Sequence, residues 1–283
     1  MRVGLFGLNQ IGDAGEALAR FGPLAEELGY DSLWMGEHIV VPDPHVKPSP
    51  MQPTDPILDG TVALAFLAGV TERIRLATGI VILPQRNPLV LAKQLASVDA
   101  VSGGRLIFGL GVGYLEPEMS AIGVPMEHRG ARADEYLAAI RALWEEEKPA
   151  FEGEYVSFSG VNAHPRPIQR PVPVVVGGST SAAYRRAAGS ADGWYGFFHD
   201  LDGTAKHVDG LRAELAKASR AEKDFEITIT PRGRIDEGAV DAYATLGVDR
   251  LVLIPPVASP PDEIEEFIRA HAPARFGASP AGG

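Results

Sequence analysis

Cysteine is absent from this chain. Its absence excludes disulfides, thiolate metal ligands, iron–sulfur clusters and thiol nucleophiles. Positive charge is scarce as well: 26 Lys and Arg face 37 Asp and Glu, and the net charge is −11. Because nucleic-acid phosphates are bound by basic surfaces, we expect no nucleic-acid partner.

Long apolar runs are also missing, since none reaches the ~18 residues that a membrane span needs. The first residues, 2–6, read as a strand and lack the pattern of a signal peptide. We therefore expect a cytoplasmic protein with no membrane partner. The seven histidines form no His-x-His or His-x-x-x-His pair, so no metal site is predicted. A serine-hydrolase elbow, Gly-x-Ser-x-Gly, is likewise missing.

Eight short apolar runs alternate with helical patterns, which is typical of parallel strands joined by crossover helices. The phrase Gly-apolar-Asp precedes a strand at both Gly29 and Gly247, as in repeated helix-to-strand turns. The pattern predicts an α/β fold, a single (β/α)₈ barrel domain over residues 1–276; an open doubly wound sheet is the alternative. The predicted strands are 3–6, 32–35, 74–83, 106–112, 172–176, 193–197, 226–230 and 250–254. The predicted helices are 14–28, 59–70, 88–101, 132–146, 181–188, 205–218, 237–246 and 261–271.

Three segments depart from this rhythm. Residues 39–58 contain six prolines and are too long for a simple connection, so we expect a loop over the active face. Residues 148–170 include an alternating stretch that predicts an inserted antiparallel hairpin. The small-residue tail, 277–283, is expected to be disordered.

Active sites of parallel barrels lie at the C-terminal ends of the strands. Glu37 and His38 follow the second strand, and an imidazole beside a carboxylate suits proton transfer near neutral pH. A loop histidine that merely caps a turn is the alternative. Gly79, within the third strand, indicates a bulge or a close backbone approach, or else a kinked strand that closes the barrel.

Glycines follow two further strands. Gly111 and Gly113 would let a flat ligand lie against the backbone with Tyr114 over it, unless the barrel taper alone requires small residues. Gly177, Gly178 and Ser179 open a helix and would expose amides to a phosphate. An ordinary N-cap by Ser179 or Thr180 is the alternative.

Together these stretches resemble the luciferase-like monooxygenase superfamily, and most closely its branch of oxidoreductases that depend on coenzyme F420, a deazaflavin. The matching segments cover much of residues 1–200, and 246–254 resembles the closing strand. They are 32–38, 73–80, 83–88, 102–106, 111–113, 129–136 and 176–179.

The resemblance implies a (β/α)₈ barrel with insertions, usually a homodimer, in which a hydride moves at the ring of a flavin or deazaflavin. It implies that His38 lies beside the reactive carbon of the ring, with Glu37 at a position that is usually Asp. Tyr114 stands where sugar-phosphate dehydrogenases of the branch have a catalytic Glu, which argues against glucose-6-phosphate as substrate. The implied cofactor-binding residues are Gly79 and Ile80 (a bulge, often with a cis peptide), Asn87, Gly111, Gly113, Tyr114, Gly177, Gly178 and Ser179.

These observations predict an F420-dependent oxidoreductase of a small organic substrate, with His38 as proton donor or acceptor and Glu37 tuning it. One alternative is an FMN-dependent monooxygenase that uses O₂ and reduced FMN supplied by a separate reductase. Another is a flavin-binding carrier without catalytic activity.

Overall fold

The computed structural model describes residues 1–277, so all but the first residue of the predicted disordered tail lies outside the described part. The strands are β1 (Arg2–Phe6), β2 (Ser32–Met35), β3 (Arg75–Thr78), β4 (Val81–Ile82), β5 (Leu106–Gly111), β6 (Phe151–Glu152), β7 (Ser157–Phe158), β8 (Val174–Gly177), β9 (Gly193–His199), β10 (Glu226–Pro231) and β11 (Arg250–Leu253). The helices are α1 (Ala14–Glu27), α2 (Gly60–Val70), α3 (Pro88–Val101), α4 (Glu116–Ala121), α5 (Arg129–Glu145), α6 (Ser181–Ser190), α7 (Leu201–Lys217), α8 (Glu237–Thr245) and α9 (Pro261–Ala270).

The main sheet closes on itself. Its strand order is β3-β2-β1-β11-β10-β9-β8-β5-β4, and β3 also pairs with β5. Every pairing in this sheet is parallel, including the pairing of β1 with β11. With β3 and β4 as two halves of one strand, the sheet is an eight-stranded (β/α)₈ barrel, and the open-sheet alternative is wrong.

The third strand differs from the prediction of one run over 74–83. It is interrupted between β3 and β4 at Gly79 and Ile80, which are joined by a cis peptide bond. The irregular geometry expected there is confirmed. Because β3 pairs with the start of β5 and β4 with its end, the interruption lies at the barrel mouth rather than in its wall.

The barrel interior is filled by one cluster of side chains, and a second core packs between the barrel and its helices. Trp34 and Tyr195 meet in the interior with ring centroids 4.9 Å apart. The interior therefore has no channel at this level, as is usual for this fold. The interior cluster comprises Phe6, Trp34, Ala77, Ile107, Val175, Tyr195 and Val252.

A buried arginine holds the connection from α2 to β3. The Arg105 guanidinium makes five hydrogen bonds, one for each of its N–H groups. The Glu26 carboxylate holds the same connection by accepting the backbone N–H groups of residues 72–74. The acceptors of Arg105 are the carbonyls of Ala68, Thr71, Ile74 and Ser102 and the Thr71 hydroxyl. The segment 102–106, which carries part of the family resemblance, therefore serves the fold at the N-terminal end of β5.

The two predicted insertions have different structures. Residues 39–58 contain no helix or strand, and Asn9 ties both ends of this loop together by donating to the carbonyls of Gly36 and Leu58. Between α5 and β8, strands β6 and β7 form the expected antiparallel pair. The Glu135 carboxylate holds their turn by accepting three backbone N–H groups, from residues 154–156. No helix within residues 1–277 has the length and apolar character to cross a bilayer.

Candidate active site

His38 lies at the C-terminal end of the barrel with its imidazole paired to a carboxylate. Its Nδ1 is 2.9 Å from Oε2 of Glu118, and Oε1 of Glu118 accepts the backbone N–H of Ile39 at 2.6 Å. The Glu118 side chain is fully buried and that of His38 is 10% exposed. A carboxylate held on Nδ1 fixes the orientation of the ring. Nε2 is thereby left to face a reactant.

Glu118 was not among the predicted site residues. It lies in the first turn of α4, a short helix that was also not predicted. The signal for it is helical spacing: Leu115, Glu118 and Met119 are all buried, as residues three and four apart share a helix face. A carboxylate on such an apolar face needs a polar partner, which His38 supplies.

Glu37, which was expected to tune His38, faces another partner. Its Oε2 is 2.8 Å from Nη2 of Arg86, and the same guanidinium nitrogen is 3.0 Å from Asp59. Burial raises the pKa of Glu37, and the hydrogen bond and charge of Arg86 oppose the rise. The carboxylate partner of His38 is therefore Glu118 rather than Glu37, because successive side chains at the strand end point to different sides.

The glycines around the cis peptide make room for one side chain, that of Ile80. A Cβ on Gly111 would lie 2.3 Å from Cδ1 of Ile80, and a Cβ on Gly177 would lie 2.5 Å from the same atom. At Gly109 a Cβ would meet the carbonyl oxygen of Thr78. The expectation that Gly111 offers its backbone directly to a flat ligand is thus modified: Ile80, which is half-buried, covers it and forms the floor of the mouth.

The loop of Gly177, Gly178 and Ser179 connects β8 to α6 and is largely exposed beyond Gly177. Gly178 has φ +118°, a conformation that disfavours a side chain. The N-cap of α6 is Thr180, whose hydroxyl accepts the N–H of Ala183. Ser179 is therefore not the cap, and its hydroxyl is 3.0 Å from Nε2 of His199.

His199 was not among the predicted site residues, since the predicted strand ended at Phe197, and a bulge sets its side of the strand. Tyr195 and Phe197 contact the barrel interior and mouth, and regular alternation would place His199 with them. Phe198 has φ 63° and is left out of the pairing, so Pro231 opposes His199 directly after Thr230 opposes Phe197. The bulge turns His199 outward, toward Ser179 and α7.

Tyr114, one of the predicted site residues, lies beside His38. The Tyr114 ring meets the His38 ring edge-on at 6.2 Å, and burial together with the negative charge of Glu118 raises the pKa of its hydroxyl. Tyr114 is thus a hydrogen-bond donor at neutral pH. The carbonyl of Gly113 accepts from Nε of Arg129, which fixes the backbone next to Tyr114. Asn87 caps α3 by accepting the N–H groups of residues 89 and 90, a role that serves the helix.

Apolar rings line the rest of the mouth. Phe197 is 45% exposed although its ring lies 5.1 Å from that of buried Phe6. A cavity of about 520 Å³ opens between the β1–α1 loop and the chain following β11. Met51 and Asp55 of the 39–58 loop line it, whereas His38, Ile80 and Gly178 do not, so the role of this loop at the active face stays a prediction.

The mouth fits a flat ring that bears a phosphate. Ile80 offers an apolar surface, and the backbone of Gly178 and Ser179 is exposed; a Cβ on Gly178 would lie 3.1 Å from Cβ of Ala183. Within residues 1–277 no group of three or more His, Asp or Glu side chains is arranged to hold a metal ion.

Comparisons with known proteins identify the family of this chain. The sequence profile of the luciferase-like monooxygenase family matches residues 1–274. The F420-dependent glucose-6-phosphate dehydrogenase of Kineococcus radiotolerans is 32% identical over 235 residues, which are 80% of this chain and 66% of that protein. The FMNH₂-dependent dimethylsulfone monooxygenase of Pseudomonas putida is 33% identical over 168 residues, 58% of this chain and 46% of that protein.

Among solved structures, the monooxygenase RslO1 of Streptomyces bottropensis superposes with a TM-score of 0.67 and 27% identity, covering 96% of this chain and 79% of that one. The matched profile spans nearly all the described residues and the relatives include enzymes of both cofactor classes. This chain belongs to the luciferase-like monooxygenase family, whose members are F420- and FMN-dependent oxidoreductases and monooxygenases.

Proposed function

We propose that this chain is an oxidoreductase that uses coenzyme F420 to transfer a hydride to or from a small organic substrate. The observation that carries the proposal is the pair formed by His38 and the buried Glu118 at the rim of the mouth that Ile80 floors. A carrier protein needs no such oriented imidazole, so this pair favours an enzyme over the carrier alternative. Support for F420 comes from the F420-dependent relative, which aligns over 80% of the chain.

Each group of residues in the site would have its own role. Gly177, Gly178 and Ser179 would hold the cofactor phosphate, and Ile80 would support the ring. When bound, F420 supplies the hydride acceptor or donor. His38 would give or take the accompanying proton at Nε2, while Glu118 keeps the imidazole in place from Nδ1.

FMN is the second candidate, because an FMNH₂-dependent monooxygenase is similarly related. In that case O₂ would be a substrate and a separate reductase would supply reduced FMN. Isothermal titration with F420 and, under anaerobic conditions, with both oxidised and reduced FMN separates the two, and we expect tighter binding of F420. A protein that binds FMN but not F420 would establish the second candidate, and one that binds neither would contradict both.

The phosphate loop is tested by Gly178→Val. A branched side chain at φ +118° would distort the loop and fill the approach to its amides, so cofactor affinity should fall at least about tenfold, ~1.4 kcal/mol. Gly189→Val is the control, because Gly189 lies in α6, the helix that follows this loop, and has open space around it. Unchanged affinity in a folded Gly178→Val variant would contradict the phosphate role.

We also propose that two copies associate through α2 and α3, which pack side by side and expose apolar side chains. Val62, Phe66 and Val70 are exposed on α2, and Val90 and Val101 on α3. Sedimentation velocity is expected to give the mass of two chains, and Phe66→Glu to give the mass of one because it buries a charge in an apolar contact. Val161→Glu, an exposed site on the insertion, is the control. A wild-type protein that sediments as one chain would contradict this proposal.

A further inference from the structure

Two histidines pack against each other beside the loop of Gly177, Gly178 and Ser179. Nε2 of His199 is 3.0 Å from Oγ of Ser179, and the ring centroids of His199 and His207 are 4.2 Å apart. Nδ1 of His207 is in turn 2.5 Å from the hydroxyl of Tyr184, in the helix that the loop opens. Trp194 holds the loop backbone in place by donating its indole N–H to the carbonyl of Gly178.

We propose that His199 is a positioning residue of the phosphate loop, and that an anion bound at Ser179 is held by a hydroxyl whose orientation depends on protonation of this imidazole. The proposal rests on the proposed function, since it takes the ligand at this loop to be the cofactor phosphate.

The chemistry follows from the donors of the two groups. An imidazolium has N–H donors on both nitrogens, so protonated His199 donates from Nε2 to Oγ of Ser179. The hydroxyl hydrogen of Ser179 is then free to be donated to a phosphate oxygen. When Nε2 is instead unprotonated, it accepts the Ser179 hydroxyl hydrogen and turns the oxygen lone pairs toward the anion. The neutral tautomer that is protonated at Nε2 makes the same hydrogen bond, so the bound anion favours the imidazolium through its charge.

The groups around His199 come from every neighbouring element. His207 and Lys206 lie on α7, Tyr243 of α8 donates its hydroxyl to the His199 carbonyl, and Arg232 donates its backbone N–H to the same oxygen. Asp200 is the adjacent carboxylate, and its side chain caps α7 by accepting the N–H of Gly203.

Without a ligand these surroundings disfavour the imidazolium. Burial lowers the pKa of His199, the charge of His207 lowers it further, and Asp200 acts in the opposite direction. His199 is thus neutral at pH 7 in the free protein. An anion raises its pKa in the complex, so affinity should rise as pH falls through the bound-state pKa and level off below the free-state pKa.

The test is cofactor affinity between pH 5.5 and 8, measured by titration calorimetry with F420, FMN and riboflavin. The wild type should bind each phosphate-bearing cofactor about threefold or more tightly at pH 6 than at pH 7.5, with proton uptake seen in buffers of different ionisation enthalpy. Riboflavin, which lacks the phosphate, should show no such dependence.

His199→Gln is the decisive variant, since a glutamine amide can still donate to Ser179 but does not titrate. We expect its affinity at pH 8 to stay within a few-fold of the wild type and its pH dependence to fall to that of the ligand alone. His207→Asn removes the neighbouring charge and should move the rise in affinity to higher pH. Circular dichroism checks that both variants are folded.

The outcomes are distinguishable. If F420 or FMN binds and the pH dependence is the same in His199→Gln, the inference is overturned and the proposed function stands. The same pH dependence with riboflavin also overturns it, because the proton is then not linked to the phosphate. If neither F420 nor FMN binds, the proposed function fails and the inference fails with it.

Discussion

Replacing His38 by alanine is expected to lower turnover by at least about a hundredfold while cofactor affinity stays within a few-fold. General acid–base help is typically worth 10²–10⁴-fold in rate. The imidazole is 10% exposed at the rim of the mouth and is oriented by a fully buried carboxylate, so it is placed for proton transfer rather than for holding the cofactor phosphate. Glu118→Gln keeps the size of the side chain and removes its charge, and a smaller loss in turnover is expected.

The measurement is kcat on a substrate found by screening, with cofactor affinity determined in parallel. His164→Gln is the matched control, because His164 is exposed on the insertion. A structure with bound cofactor gives an independent check: Nε2 of His38 should lie within ~4 Å of the reactive carbon of the ring. An unchanged kcat in His38→Ala, or a ring placed far from His38, would remove the catalytic role and favour the carrier alternative.

Replacing Arg105 by methionine is expected to lower the free energy of unfolding by at least about 3 kcal/mol. Methionine keeps an apolar stem of similar reach but removes all five donors, and each buried acceptor left without a partner costs ~1–3 kcal/mol. The guanidinium also lies at the C-terminal end of α2, where its charge is favourable to the helix dipole. Chemical denaturation followed by circular dichroism measures the change.

Arg105→Lys serves as the comparison, because an ammonium retains the charge and up to three donors but lacks the planar fork. The free energy of unfolding should fall less in Arg105→Lys than in Arg105→Met. Arg73→Met is a control on the same connection, since that side chain is 66% exposed and its ion pairs are loose. A loss below about 1 kcal/mol in Arg105→Met would show that water replaces the guanidinium at little cost.

The barrel could be predicted because its signals are local and repeated. Each buried strand is a short apolar run, and each Gly-apolar-Asp turn marks where a helix gives way to a strand, so seven of the eight barrel strands lie close to their predicted positions. The eighth strand, over 74–83, was located correctly. Its interruption was not predicted, because apolar residues continue through Gly79 and Ile80.

The partners within the site could not be predicted in the same way. Position at a strand end indicated His38, but its carboxylate is 80 residues away in sequence, on a short helix without a strong pattern. His199 shows a different difficulty, since alternation along β9 places it on the inner face and only the bulge at Phe198 turns it outward. Such pairings depend on tertiary contacts that one sequence does not display.

The packing of Ile80 over its glycines has a consequence for how this mouth can vary. Because its δ-methyl occupies the space that a Cβ would need at both Gly111 and Gly177, the three positions are constrained to change together. A smaller residue at position 80 would deepen the mouth and leave space at both glycines, whereas an alanine at either glycine would displace Ile80 from its present position. The depth of this end of the barrel is therefore set by one side chain.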